Sequence, residues 1–124
     1  MENTELAEQL FRAFESGDAD TVRSLCKADM TAIQNLNPPM DLETLLEFSS
    51  AVNKVVPDLH YADVKRSATE TGFVEEHSVL GTLPNGSELR LAACVVAEIS
   101  EGKIRSLREY LDTSAAEGLL KALS

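Results

Sequence analysis

The stretch that decides the fold is residues 72–112, GFVEEHSVLGTLPNGSELRLAACVVAEISEGKIRSLREYLD. Two tight turns divide it. Leu83-Pro84-Asn85-Gly86 and Ser100-Glu101-Gly102-Lys103 each place a Gly where a short hairpin connection needs a positive φ. Between them, Leu89 to Ile99 is dominated by Leu, Ala, Val and Cys and is long enough to cross a whole sheet. The pattern predicts three consecutive strands in an antiparallel meander that finishes on Asp112, where chemistry could sit.

Upstream, Leu59 to Thr69 carries a fourth apolar-polar alternation, irregular at Tyr61-Ala62, where a bulge would restore the phase. The N-terminal half reads as helical. Leu6, Ala7, Leu10, Phe11, Ala13 and Phe14 fall on one face of a helix with Asn3 or Thr4 as N-cap and Gly17 just past its end. Asp18 caps a short second helix through Val22, Leu25 and Cys26, and Asp41 caps a third that carries Leu42, Leu45, Leu46, Val52, Val55 and Val56 and stops at Pro57. Met30 to Leu36 reads as a short strand between them, followed by a turn at Asn37-Pro38-Pro39. This order predicts an α+β fold in which N-terminal helices pack in a curved antiparallel or mixed β-sheet, with a pocket on its concave side.

A chain of 124 residues with 44% hydrophobic content suits one domain over residues 1–124. It has no apolar run of 18 residues, and Glu2, Glu5 and Glu8 interrupt any leader-like segment, so a cytoplasmic protein without membrane contact is expected. The formal charge of −10 excludes a clustered basic surface for nucleic acid and favours a small apolar or weakly polar ligand. Cys26 and Cys94 sit in apolar surroundings and read as buried free thiols, with no metal spacing. Gly81 and Gly86 belong to turns rather than a phosphate loop, and His60 has no ligand partner, so neither cofactor nor metal is expected.

The order of elements, Ile33-Gln34-Asn35, Val79 to Gly86, and EGKI-x-x-x-REYLD at 101–112 together resemble the SnoaL-like polyketide cyclase and limonene-epoxide hydrolase branch of the nuclear transport factor 2 superfamily. Ketosteroid isomerases share that conical, barrel-like α+β fold. In the epoxide hydrolases a Tyr, an Asn and an Asp hold the attacking water, while an Arg and a second Asp protonate the epoxide. Asn35 matches the water-binding Asn and Asp112 the water-activating Asp. Ile33 stands in place of the Tyr, and Glu76 and Ser78 in place of the Arg and the acidic Asp.

The resemblance also implies an inward direction for the strands. By alternation Val74, Glu76, Ser78 and Leu80 share one face of their strand, and Ser106, Arg108, Tyr110 and Asp112 one face of theirs. With these facing inward, Asp112 is expected as base, Glu76 as partner acid and Asn35 as orienting amide, and Phe11, Phe14, Val74, Ser78, Leu80 and Tyr110 as ligand-binding residues. The bland alternative pairs Glu76 with Arg108 or Arg90 and makes Asp112 the cap of a terminal helix over Ala115 to Leu123. His77 then points out of the cone, towards a surface or interface, and a homodimer through the sheet face bearing His77 and Val79 is expected. Two functions remain open. One is an acid/base isomerase, cyclase or hydrolase acting on a neutral, largely apolar ligand; the other is a non-catalytic ligand-binding or dimerisation module.

Overall fold

The computed structural model describes residues 1–124 and contains four helices and one six-stranded mixed sheet that does not close. Helix α1 (Asn3–Ser16) buries Leu6, Ala7, Leu10, Phe11 and Ala13, and ends at Gly17, whose φ of 70° lets its N–H reach back to Ala13 and Phe14. The N-cap is Glu2, one residue earlier than expected. Asn3 lies inside the helix, and its Nδ2 donates to Gly72 O at 2.9 Å, tying the helix start to the sheet. Asp18 caps α2 (Ala19–Leu25) through Thr21 N, and Asp41 caps α3 (Leu42–Val55) through Thr44 N at 2.8 Å, as their positions predict.

The strands are β1 (Cys26–Gln34), β2 (Met40–Asp41), β3 (His60–Ala68), β4 (Gly72–Thr82), β5 (Glu88–Ser100) and β6 (Lys103–Leu111), in the spatial order β2-β1-β6-β5-β4-β3. β1 is longer than expected and runs parallel to β6; every other pairing is antiparallel. The β5–β6 turn has positive φ at both Glu101 and Gly102, the geometry whose twist matches two right-twisted strands. The register shift in β3 falls between Ala62 and Lys65, where Asp63 takes a φ of 54°. A second shift lies between Glu98 and Ile99.

Helices and sheet bury two groups of apolar side chains. One joins α1, α2 and the start of α3 to Met30, Phe73, Val95, Ile104 and Leu107; the other joins Val52, Val56, Val79, Leu89 and Leu91 to Leu119 of α4 (Glu117–Leu123). A cavity opens between them, with walls drawn from both. Cys26 is buried, and burial pushes its thiol up to about 12. Cys94 is only half-buried, because it lies on the outer sheet face.

Candidate functional site

Strand facing is the first correction. Phe73, Glu75, His77 and Val79 are buried on the concave side, whereas Glu76 is exposed and Val74, Ser78 and Leu80 are half-buried on the convex side. On β6 the inward residues are Leu107, Glu109 and Leu111; Tyr110 is 47% exposed and pairs with Cys94 on the outer face. The expected inward set is thus one residue out of phase on both strands. A one-residue offset moves every side chain of a strand to the other face.

Asp112 does not enter the cavity. It is exposed, and its Oδ1 accepts from Ser114 N, Ser114 Oγ and Ala115 N at 3.0–3.3 Å. It braces the turns that lead into α4, whose own N-cap is Ala116, so its contacts are structural although it is not the cap of the terminal helix. Asn35 does line the cavity: its φ of 50° turns the chain out of β1, and its Oδ1 accepts from Leu111 N at 3.1 Å. Phe11 and Phe14 line it as expected; Val74, Ser78, Leu80 and Tyr110 do not.

The cavity measures about 180 Å³, and 18 of its 25 lining residues are hydrophobic, so its wall is mainly apolar. Phe11, Phe14, Phe48 and Tyr61 supply its aromatic wall, and exposed Asn37, Thr113 and Leu120 mark its mouth. Its polar lining comprises Gln34, Asn35, Asn37, Ser49, Asn53, Glu109 and Thr113, besides the Tyr61 hydroxyl. Glu109 is the one member with a formal charge. It accepts from Gln34 Nε2 at 2.9 Å. Burial pushes its carboxyl above the usual range, an effect only partly offset by nearby His77 and the Gln34 contact.

Glu109 lies in a row of paired residues, polar except for Val95, that runs across five of the six strands. Gln34 pairs with Glu109, Glu109 with Val95, Val95 with Glu75, and Glu75 with Arg66, from β1 through β6, β5 and β4 to β3. Glu75 is fully buried; it accepts from Arg66 Nε at 2.6 Å and lies 2.6 Å from His77 Nδ1. His77 has a fully buried side chain, against the expectation of a surface residue, and packs 4.4 Å from the Tyr61 ring and 4.9 Å from the Phe11 ring. Tyr61 is likewise pushed above its ordinary value by burial, then by the nearby Glu109, Glu15 and Glu75.

Glu109 is the cavity residue that sequence reasoning missed, and Glu75 and His77 are the buried polar pair behind the wall that it turned outward. A signal for β4 existed. Arg90 and Glu98 mark one phase of β5 as the outer one, leaving Leu89, Leu91, Ala93, Val95 and Ala97 inside, and the hairpin register then carries Glu75 and His77 inward.

The family model of the SnoaL-like domain matches residues 7–107. Among curated proteins, none matches the chain in sequence. Among solved structures, a protein assigned as a SnoaL-like polyketide cyclase from Jannaschia sp. CCS1 superposes with a TM-score of 0.82 at 18% identity, covering 98% of this chain and 91% of that one. One assigned as a polyketide cyclase from Pseudomonas putida KT2440 gives 0.81 at 20% identity, covering 100% and 99%. A protein of ketosteroid isomerase-like fold from Catenulispora acidiphila, solved in complex with trimethylamine, gives 0.79 at 15% identity, covering 95% of each chain. At such identities the likeness concerns the fold.

Proposed function

Because the chain belongs to the SnoaL-like domain family, we propose that its cavity binds a small, uncharged, largely apolar molecule and performs acid/base chemistry on it at Glu109. The observation that carries this reading is the single ionisable carboxyl in an apolar cavity lining, with its pKa raised by burial. A carboxyl moved towards neutrality can donate a proton in one step and accept one in another, which suits isomerisation, cyclisation or water addition. Gln34 holds one Glu109 oxygen, and the Asn35 amide nitrogen, which has no protein partner, is available to orient a ligand oxygen. The lining offers no cation to compensate an anionic ligand.

Thermal-shift screening of small apolar carbonyl compounds and epoxides identifies binders, and turnover of those binders is then compared between the wild type and Glu109→Gln. Glu109→Gln should keep binding and lose roughly 10²–10⁴-fold in rate, the usual contribution of a positioned acid or base. An undiminished rate would sink the proposal.

A second reading has its own support: at the two positions matched to the epoxide hydrolases, Asn35 Oδ1 and Asp112 Oδ1 accept from backbone N–H groups, and Asp112 lies outside the cavity. On that reading the scaffold is a non-catalytic ligand-binding or dimerisation module. Its signature is ligand stabilisation with no product from any binder.

A further inference from the structure

Tyr61 stands on β3, the edge strand far across the sheet from Asn35 at the end of β1, and both line the cavity. Its ring is clamped. His77 packs on it at 4.4 Å and Phe11 edge-on at 5.5 Å between ring centroids, and its backbone N–H donates to Glu15 Oε1 at 2.8 Å. His77 is itself fixed, because Nδ1 meets one oxygen of Glu75, whose other oxygen accepts from Arg66 Nε. Burying ionic groups stabilises a fold little compared with apolar side chains of the same volume; what this chain supplies, one side chain behind the wall, is orientation. The hydroxyl at the end of the clamped ring has no protein partner, and it is not sealed in, since His77 Nε2 is the one unpartnered side-chain atom that is fully buried. It therefore opens on the cavity that Tyr61 lines. Other donors of the lining are less free: Gln34 Nε2 is taken by Glu109 and Asn53 Nδ2 by Phe14 O, while Asn37 and Thr113 stand exposed at the mouth. Ser49 lies within α3, where a hydroxyl can turn back to a carbonyl one turn earlier. Burial, followed by the nearby Glu109 and Glu15, keeps the phenol protonated, so it has a hydrogen to donate.

We infer that the Tyr61 hydroxyl is the anchor that selects the ligand, donating its hydrogen to an uncharged acceptor oxygen, such as that of a ketone, ester or ether, on an otherwise apolar molecule. A donor left unpaired against apolar walls is costly, and a ligand oxygen is its missing partner. A plain hydrocarbon leaves the hydroxyl unpaired. A ligand carboxylate is disfavoured, since Glu109 and Glu15 lie near the phenol and like charges repel. This role presupposes that the cavity is a ligand site, as proposed above, and the test separates the two.

The probes are acetophenone and ethylbenzene, which share a shape and differ in one carbonyl oxygen. Because that oxygen also costs desolvation, the quantity read is the change in Kd between wild type and Tyr61→Phe, a variant that keeps the ring against His77 and Phe11. Tyr61→Phe should weaken acetophenone on the order of tenfold, the worth of one hydrogen bond in a dry site, and leave ethylbenzene unchanged. No loss for acetophenone overturns the inference, as does an equal loss for both probes, which marks a change of shape. Infrared spectroscopy of bound acetophenone gives an independent answer on the wild type alone: its carbonyl stretch should lie below the value in an alkane solvent, and an unshifted stretch overturns the inference. So does a shift that survives Tyr61→Phe and vanishes in Asn35→Asp, which lacks the amide donor but keeps an acceptor for Leu111 N, or in Ser49→Ala. Each of these results leaves the cavity reading standing. Binding of neither probe by the wild type overturns the cavity reading, and this inference with it.

Discussion

Glu75 and Glu109 flank the same residue, Val95, from opposite sides of β5, so two carboxyl groups share the inner sheet face two strand spacings apart. That spacing is about 10 Å between backbones. Their surroundings differ: Glu75 is bonded by a guanidinium and an imidazole, Glu109 by one neutral amide. Carboxyl groups in such unlike settings take unlike roles.

The raised Glu109 pKa has a definite sign in stability. Between its unfolded and folded values the folded protein holds a proton that the unfolded chain has released, so stability falls as pH rises through that window and then levels off. Glu109→Gln removes this loss. Urea denaturation across pH should show the variant ahead of wild type at neutral pH, on the order of 1 kcal/mol as for other functional-site replacements, with the advantage gone in acid. An advantage independent of pH would contradict the burial argument.

Gly72 is required for close approach rather than for a turn. A Cβ there would lie 1.8 Å from the carbonyl oxygen of Ala97, a backbone atom of the neighbouring strand. Gly72→Ala should therefore cost roughly 1–3 kcal/mol by overpacking and lower the melting temperature. Gly86→Ala meets no atom within 4 Å and is penalised only through its φ of 87°. Thermal denaturation should rank Gly72→Ala as the more damaging change.

Asp112→Asn retains an Oδ1 acceptor for Ser114 N and Ala115 N, so it should leave both the melting temperature and any turnover unchanged. Asp112→Ala should loosen residues 113–116, among them the cavity-lining Thr113 and Ala116, and weaken ligand binding. Loss of turnover in a well-folded Asp112→Asn would restore Asp112 as a base.

The convex sheet face exposes Tyr110 and half-exposes Val74, Leu80, Cys94 and Val96, a larger apolar surface than scattered single residues make. We expect a two-fold homodimer through this face, not through the face bearing His77 and Val79, which is the cavity side. Light scattering at micromolar concentration should give a dimer for wild type and a monomer for Val96→Arg. A monomeric wild type would refute the interface.

Much of this architecture was legible locally. Asp18 and Asp41 announce helix starts because a short acceptor side chain satisfies a free N–H one turn ahead, and Gly17 and Gly102 mark positions where a Cβ is disfavoured. Phe11, Phe14 and Asn35 lie where the sequence and the family resemblance placed them, at the cavity wall. What needed more than a strand's own alternation was which side became the inside: for β4 its pairing with β5, and for β6 a shift of register. β4 is mixed on both faces, with Glu75 and His77 on one and Val74 and Leu80 on the other, so its alternation does not rank them. On β6 the cause is geometric. The turn at Glu101-Gly102 pairs Ser100 with Lys103, a register that would set Arg108 opposite Val95, but the irregularity between Glu98 and Ile99 shifts the pairing and sets Glu109 there instead. With a side-chain period of two, that single-residue shift exchanges the faces, and with them Arg108 and Tyr110 for Glu109 at the site.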